Sequence, residues 1–152
     1  MTRLNQGLCT LGLVAVVSAA GCRGSSSPSA PSSPPPLDVA GSWRGTAKDS
    51  SGPGSITMQV TQSSTNLSGT VTITVTDSST TGRGTLTGTL SGSNITLTIT
   101  IPAGGFDAPF AGCNATVSGN GQASASLITA NYSGTNSCSG AITSGELTLN
   151  KG

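Results

Sequence analysis

The sequence predicts an all-β domain: an antiparallel up-and-down barrel of about eight strands, with a β-sandwich as the alternative. Three observations carry this reading. Apolar residues alternate with Thr and Ser at period two, the connections are short and polar, and glycine recurs on the face that the apolar residues share. Such alternation marks strands buried on one side, and Thr suits a solvated face of high β propensity.

The first strand is expected over 41–49, where Trp43 and Gly45 share a face, and the second over 55–62, with Ile56, Met58 and Val60 together. The third, 67–77, aligns Leu67, Val71, Ile73 and Val75, and the fourth covers 84–91 around Leu86. The fifth, 94–101, is the most regular, with Ile95, Leu97, Ile99 and Ile101 in alternate places. The last three are expected over 113–124, 127–135 and 142–151. Between them "DSSGPG", "SSTN", "SSTTGR" and "SGSN" are polar connectors of the kind hairpins use, so sequential antiparallel pairing is the simplest topology. No stretch after residue 22 has helical periodicity.

A meander of this kind either closes on itself or leaves two edges open to pairing. An even number of strands lets the first lie antiparallel to the last. Glycine argues for closure: Trp43 is followed two residues on by Gly45, Leu67 by Gly69, Leu86 by Gly88, Val117 by Gly119 and Tyr132 by Gly134. Glycine weakens a strand unless a bend or a close backbone approach requires it, and a small, strongly coiled barrel requires it on the inner face. The echoes "LSGT", "LTGT" and "YSGT" have no constant period and indicate neither solenoid nor propeller.

Ahead of the domain lies a different kind of sequence. Arg3 is followed by an apolar run over 8–20 and by Ala19-Ala20-Gly21 immediately before Cys22. This is the tripartite layout of a secretory signal, too short in its apolar part to span a bilayer, so 1–21 is read as a signal peptide. The segment also resembles a bacterial lipoprotein signal, whose lipobox sets small residues before an invariant cysteine. The resemblance implies that Cys22 begins the mature chain and bears acyl groups such as palmitate, several of which together hold a protein firmly on a membrane. Arg23, where an aspartate would favour inner-membrane retention, points to the outer membrane of the cell envelope. The alternative is an ordinary cleaved signal with Cys22 incidental. Residues 22–37 are Ser, Pro, Ala and Gly almost throughout, a composition that buries little and stays extended, so they are read as a disordered tether. Residues 38–152 are left as the barrel domain, enough chain for one core.

Within that domain four basic side chains, Arg44, Lys48, Arg83 and Lys151, stand against the acids Asp38, Asp49, Asp77, Asp107 and Glu146, a net charge of −1. No basic patch exists to neutralise phosphates, which excludes nucleic acid as a partner. With Cys9 removed in the signal and Cys22 lipidated, Cys113 and Cys138 remain. In an oxidising compartment they are expected to form one disulfide, closing a loop of about 25 residues and stabilising the fold by on the order of 3 kcal/mol. The chain has no histidine, and its cysteine spacing matches no ligand motif, so neither metal nor cofactor is expected. Without histidine, with serines that lack an evident base and with scattered acids, an enzyme is not expected either.

The domain's aromatic side chains are Trp43, Phe106, Phe110 and Tyr132. Two of them, with Asp107, sit in the long connection "PAGGFDAPFAG", 102–112, which makes Phe106, Asp107 and Phe110 a candidate recognition loop. The other reading is that both phenylalanines fold back as a plug over one barrel end.

The domain opens with "LDVAGSWRGT", in which Gly41-Ser42-Trp43 forms a G-x-W triplet at the head of the first strand. The triplet resembles the opening of the calycin group, the lipocalins and avidin-like barrels. That resemblance implies a structural role for Gly41 and Trp43 at one barrel end, with Lys151 or Arg44 packed near the indole. A single tryptophan departs from the aromatic walls of an avidin-type biotin pocket, and no ligand contacts carry over. The whole chain, with "DVAGSWRGTA", "IPAGGFDAPF" and "YSGTNSCSGAITSGELTL", is also similar to small uncharacterised bacterial lipoproteins, which implies architecture and no activity. Two functions follow as expectations. In one, a calyx binds a small apolar or amphipathic ligand; in the other, a filled barrel serves as a surface module contacting another envelope protein or glycan.

Overall fold

The computed structural model of the chain describes residues 35–152. The expected signal peptide, the lipidation expected at Cys22 and nearly all of the expected tether therefore lie outside the described residues.

Eight strands follow one another: β1 Gly41–Asp49, β2 Gly52–Ser63, β3 Asn66–Val75, β4 Thr81–Ser91, β5 Asn94–Ile101, β6 Ala115–Ala123, β7 Leu127–Asn136 and β8 Gly140–Lys151. Each pairs antiparallel with its successor, and β1 pairs with β8, so the sheet closes into an up-and-down barrel. Closure removes the sandwich alternative. The strands run as the alternation predicts, with ends moved by up to three residues: β3 is Asn66–Val75, β4 starts at Thr81 and β8 at Gly140. β2 begins at Gly52 because Gly52 and Pro53 already sit opposite Asp49 and Lys48, which shrinks the expected connector to Ser50 and Ser51. β6 begins at Ala115, which leaves Cys113 in the preceding loop.

Inward glycines do what the sequence requires of them. A Cβ on Gly45 would overlap the carbonyl of Thr148 on the neighbouring strand, and Gly69, Gly88, Gly119 and Gly134 meet the carbonyls of Gln59, Thr96, Asn131 and Thr116 in the same way. Neighbouring backbones approach too closely there for any side chain, which is how so small a barrel coils.

The inner face is apolar, with Trp43, Ile56, Met58, Leu86, Ile95, Ile128 and Leu149 essentially sealed from solvent. Outside, Thr70, Thr85, Thr100 and Thr116 stand in one cross-strand row. Side-chain hydrogen bonds join Thr89 to Thr96 at 2.8 Å and Thr98 to Ser118 at 3.0 Å. This pattern inverts that of a membrane-spanning barrel, whose outer band is apolar. Among the described residues, the exposed large apolar side chains are Phe110 and Leu127.

The barrel has two unlike ends. At the base, where β1 starts, Leu37 packs against the core and Val39 is fully buried. Gln62 holds this segment in place: its Oε1 accepts from the Val39 amide at 2.8 Å, and its Nε2 donates to the Leu37 carbonyl at 3.0 Å. Gly41, at φ 121°, then turns the chain into β1 through a conformation that other residues rarely adopt. Trp43 fills the space above, donating its indole N–H to the Val39 carbonyl at 2.8 Å, while the Lys151 ammonium lies 5.6 Å from the ring centroid. At the opposite end, the mouth, lie the β1–β2, β3–β4 and β7–β8 turns and the long loop 102–114.

Candidate functional site

Bulky side chains fill the base half of the barrel, but the mouth half is lined by Ala47, Gly54, Ala115, Gly119 and Ala130 among its larger neighbours. These small residues leave a cavity of about 120 Å³, walled mainly by branched aliphatic side chains such as Ile56, Ile73, Ile99 and Val117. Its polar lining is Asp49, Ser51, Tyr132 and Asn136.

Strand parity puts the first of these groups at the cavity. Trp43, Gly45, Ala47 and Asp49 share the inner face of β1, so its last residue turns a carboxylate inward just as the strand reaches solvent. Tyr132 comes from β7 and reaches across β8. It can do so because its register partner is Gly145, whose missing side chain is replaced by the Tyr132 ring. The phenol then donates to Asp49 Oδ2 at 2.7 Å. Burial, first, and then the hydrogen bond and the negative charge of Asp49 push the Tyr132 phenol well above the usual tyrosine range. Asp49 Oδ1 accepts the Ser51 amide at 2.7 Å, and Asn136 Oδ1 accepts the Cys138 amide at 2.8 Å.

The loop 102–114 forms one side of the mouth. Phe106 bridges to Gly82 on β4, and its ring occupies the space a Gly82 side chain would take. It packs against the core and lines the cavity. Asp107 turns outward instead and pairs with Arg83 at 2.7 Å. Both of those side chains are at least half exposed, so the pair adds little stability. Phe110 is 42% exposed. The expected plug is therefore only half present: Phe106 turns in and Phe110 turns out.

The Cys113–Cys138 disulfide, with a Cα–Cα distance of 5.6 Å, ties this loop to the β7–β8 turn. Beside it the Asn114 amide donates to Ser137 Oγ and the Ser137 amide to the Asn114 carbonyl, each at 2.9 Å. The candidate residues thus fall into two groups. Phe106, Asp107, Phe110, Cys113 and Cys138 gather at the mouth, while Gly41 and Trp43 lie at the base, away from the cavity. Sequence reasoning missed Asp49, Tyr132 and Asn136 as a set. The available signal was parity, which places Asp49, at the end of β1, and Tyr132, in the middle of β7, on inner faces. Among the described residues no group of three or more His, Cys, Asp or Glu gathers to hold a metal ion.

Comparison with protein-family models, curated proteins and solved structures found no match to this chain.

Proposed function

We propose that this chain is a non-enzymatic envelope lipoprotein, anchored through lipid on Cys22 at the outer membrane, whose calycin-like barrel takes a small apolar or amphipathic ligand through its mouth. The observation that carries the reading is the apolar cavity under a rim of a few polar groups, the usual make-up of a small-molecule site. Its 120 Å³ lies well below the roughly 300–1,000 Å³ of drug-sized pockets. It is nearer the cavity of about 150 Å³ that takes one benzene. The ligand, or the part of it that enters, is accordingly a single small ring or a short branched chain. Chemistry on such a ligand is not part of the proposal. The phenol bonded to the inward acid has its ionisation raised, so it stays protonated at neutral pH and offers no base of its own.

A second reading is favoured by Phe110, an exposed aromatic on a loop pinned by the disulfide. There the barrel is a surface module and the loop meets another envelope protein or a glycan. Native mass spectrometry of the chain from residue 22 onward, carrying Cys22→Ser and purified from its own host, separates the two. A co-purifying small molecule supports the ligand carrier; an empty barrel that also excludes small apolar probes overturns it. For the anchor, Cys22→Ser should release the protein from membranes, and unchanged retention would refute lipidation.

A further inference from the structure

The charge and hydrogen-bonding sense of the mouth narrow the ligand class beyond "apolar or amphipathic", on the reading that the cavity is a ligand site. Asp49 is the charged side chain lining the cavity, and no Lys or Arg joins it there. Its carboxylate accepts one hydrogen bond on each oxygen, from Tyr132 and from the Ser51 amide. A carboxylate has about four acceptor positions, so lone pairs remain for a further donor. The Tyr132 hydroxyl has spent its proton on Asp49 and can only accept from a ligand. Asn136 commits its carbonyl oxygen to the β7–β8 turn and keeps a neutral amide as its donor.

The surroundings have the same sign. Asp77 lies beside Gly52 at the rim. Of the nearby cations, Lys48 is on the outer face of β1 and Arg83 is engaged with Asp107. An anionic head brought to this mouth meets an uncompensated carboxylate at the edge of an apolar cavity, where like charges repel strongly. An ammonium head meets an acceptor of opposite charge, and a charge-assisted hydrogen bond there is about twice as strong as a neutral one.

We infer that the barrel binds small primary amines with a compact apolar body, the body in the cavity and the ammonium on Asp49 with the Tyr132 oxygen beside it. Fatty acids and other carboxylates are rejected by the same geometry. The apolar body is limited by the cavity to about one ring or a short branched chain.

The test is a ligand series of one shape and three head groups. Benzylamine, toluene and benzoate are titrated at pH 7 into the chain from residue 22 onward with Cys22→Ser, following the methyl NMR signals of Ile56, Ile73 and Ile101. Benzylamine should shift these methyls and bind at least tenfold more tightly than either of the others, the scale of one hydrogen bond to a charged group. Asp49→Asn should bring benzylamine and toluene to equal affinity. Toluene or benzoate binding as tightly as benzylamine overturns the amine preference and leaves the cavity reading standing. Benzylamine shifts confined to the outer surface near Asp77 or Asp107 overturn the assignment of the head group to Asp49. If none of the three moves the methyls, both the preference and the cavity reading fall. The series on the protein with Asp49 intact decides the question even if Asp49→Asn does not fold.

Discussion

Tyr132 and Asp49 are joined by a 2.7 Å hydrogen bond that spans β8 at the barrel mouth. The two residues stand 83 positions apart in the chain. They belong to strands that do not pair, so the bond braces β7 directly to β1 over the gap that Gly145 leaves. It also places a phenol and a carboxylate at the entrance of an otherwise apolar cavity.

Tyr132 is the chain's one tyrosine, which makes its ionisation directly readable. Its folded pKa is raised above the unfolded value of 10.0. Below that value the phenol is protonated in both states, and its contribution to stability is fully present. Above it the unfolded chain sheds a proton that the folded chain keeps, so stability falls as pH climbs toward the raised folded pKa. Tyrosinate absorbance should therefore appear together with the loss of near-UV circular dichroism. Ionisation near pH 10 with the barrel intact would show that the phenol is not held as described. Tyr132→Phe should cost about 1–2 kcal/mol at neutral pH by denaturant titration.

Gly145→Ala should displace the Tyr132 ring, because the added methyl would occupy its place. A cost of about 1–3 kcal/mol is expected, the usual scale of overpacking. Gly112→Ala is the control: nothing lies within 4 Å of the position its Cβ would take, and its effect should stay within about 0.5 kcal/mol. Equal midpoints for the two variants would contradict the packing of Tyr132 on β8.

Reducing Cys113–Cys138, or replacing both cysteines by Ala, should lower stability by about 3 kcal/mol through the entropy regained by the unfolded chain. Amide exchange should quicken first in the loop 102–114 and the β7–β8 turn, which the bridge ties together. Exchange that quickens evenly around the barrel would mean that the disulfide does not hold the mouth in particular.

Trp43 is the chain's one tryptophan and has no exposed surface. Its fluorescence should resist aqueous quenchers until the barrel unfolds. Trp43→Ala should cost about 3–5 kcal/mol. Trp43→Phe should be milder but still destabilising, because the buried Val39 carbonyl loses its indole donor. Ready quenching in the native protein would argue against a closed base.

Much of the architecture was legible in the chain because strand geometry is local. Side chains alternate across a strand whatever it pairs with, so Ile95, Leu97, Ile99 and Ile101 marked a strand and its buried face, and the Thr residues between them marked the outside. Gly45 and its counterparts pointed to close backbone approach for the same reason. Cys113 and Cys138 could be paired by elimination. The fates of the two loop phenylalanines were not legible, because periodicity says nothing outside a strand. Phe106 turns inward because Gly82, on a different element, leaves room for its ring.

The sequence by itself determined the number of strands, their order, the face each one buries and the pattern of an apolar interior inside a threonine surface. Only the tertiary structure decided that the sheet closes, that small residues collect at one end to leave a cavity, and that Asp49 and Tyr132 meet there. The reason is geometric. Which residues face each other across the barrel depends on the register summed around the whole ring of strands and on the absence of a side chain at Gly145, and no local pattern contains that sum.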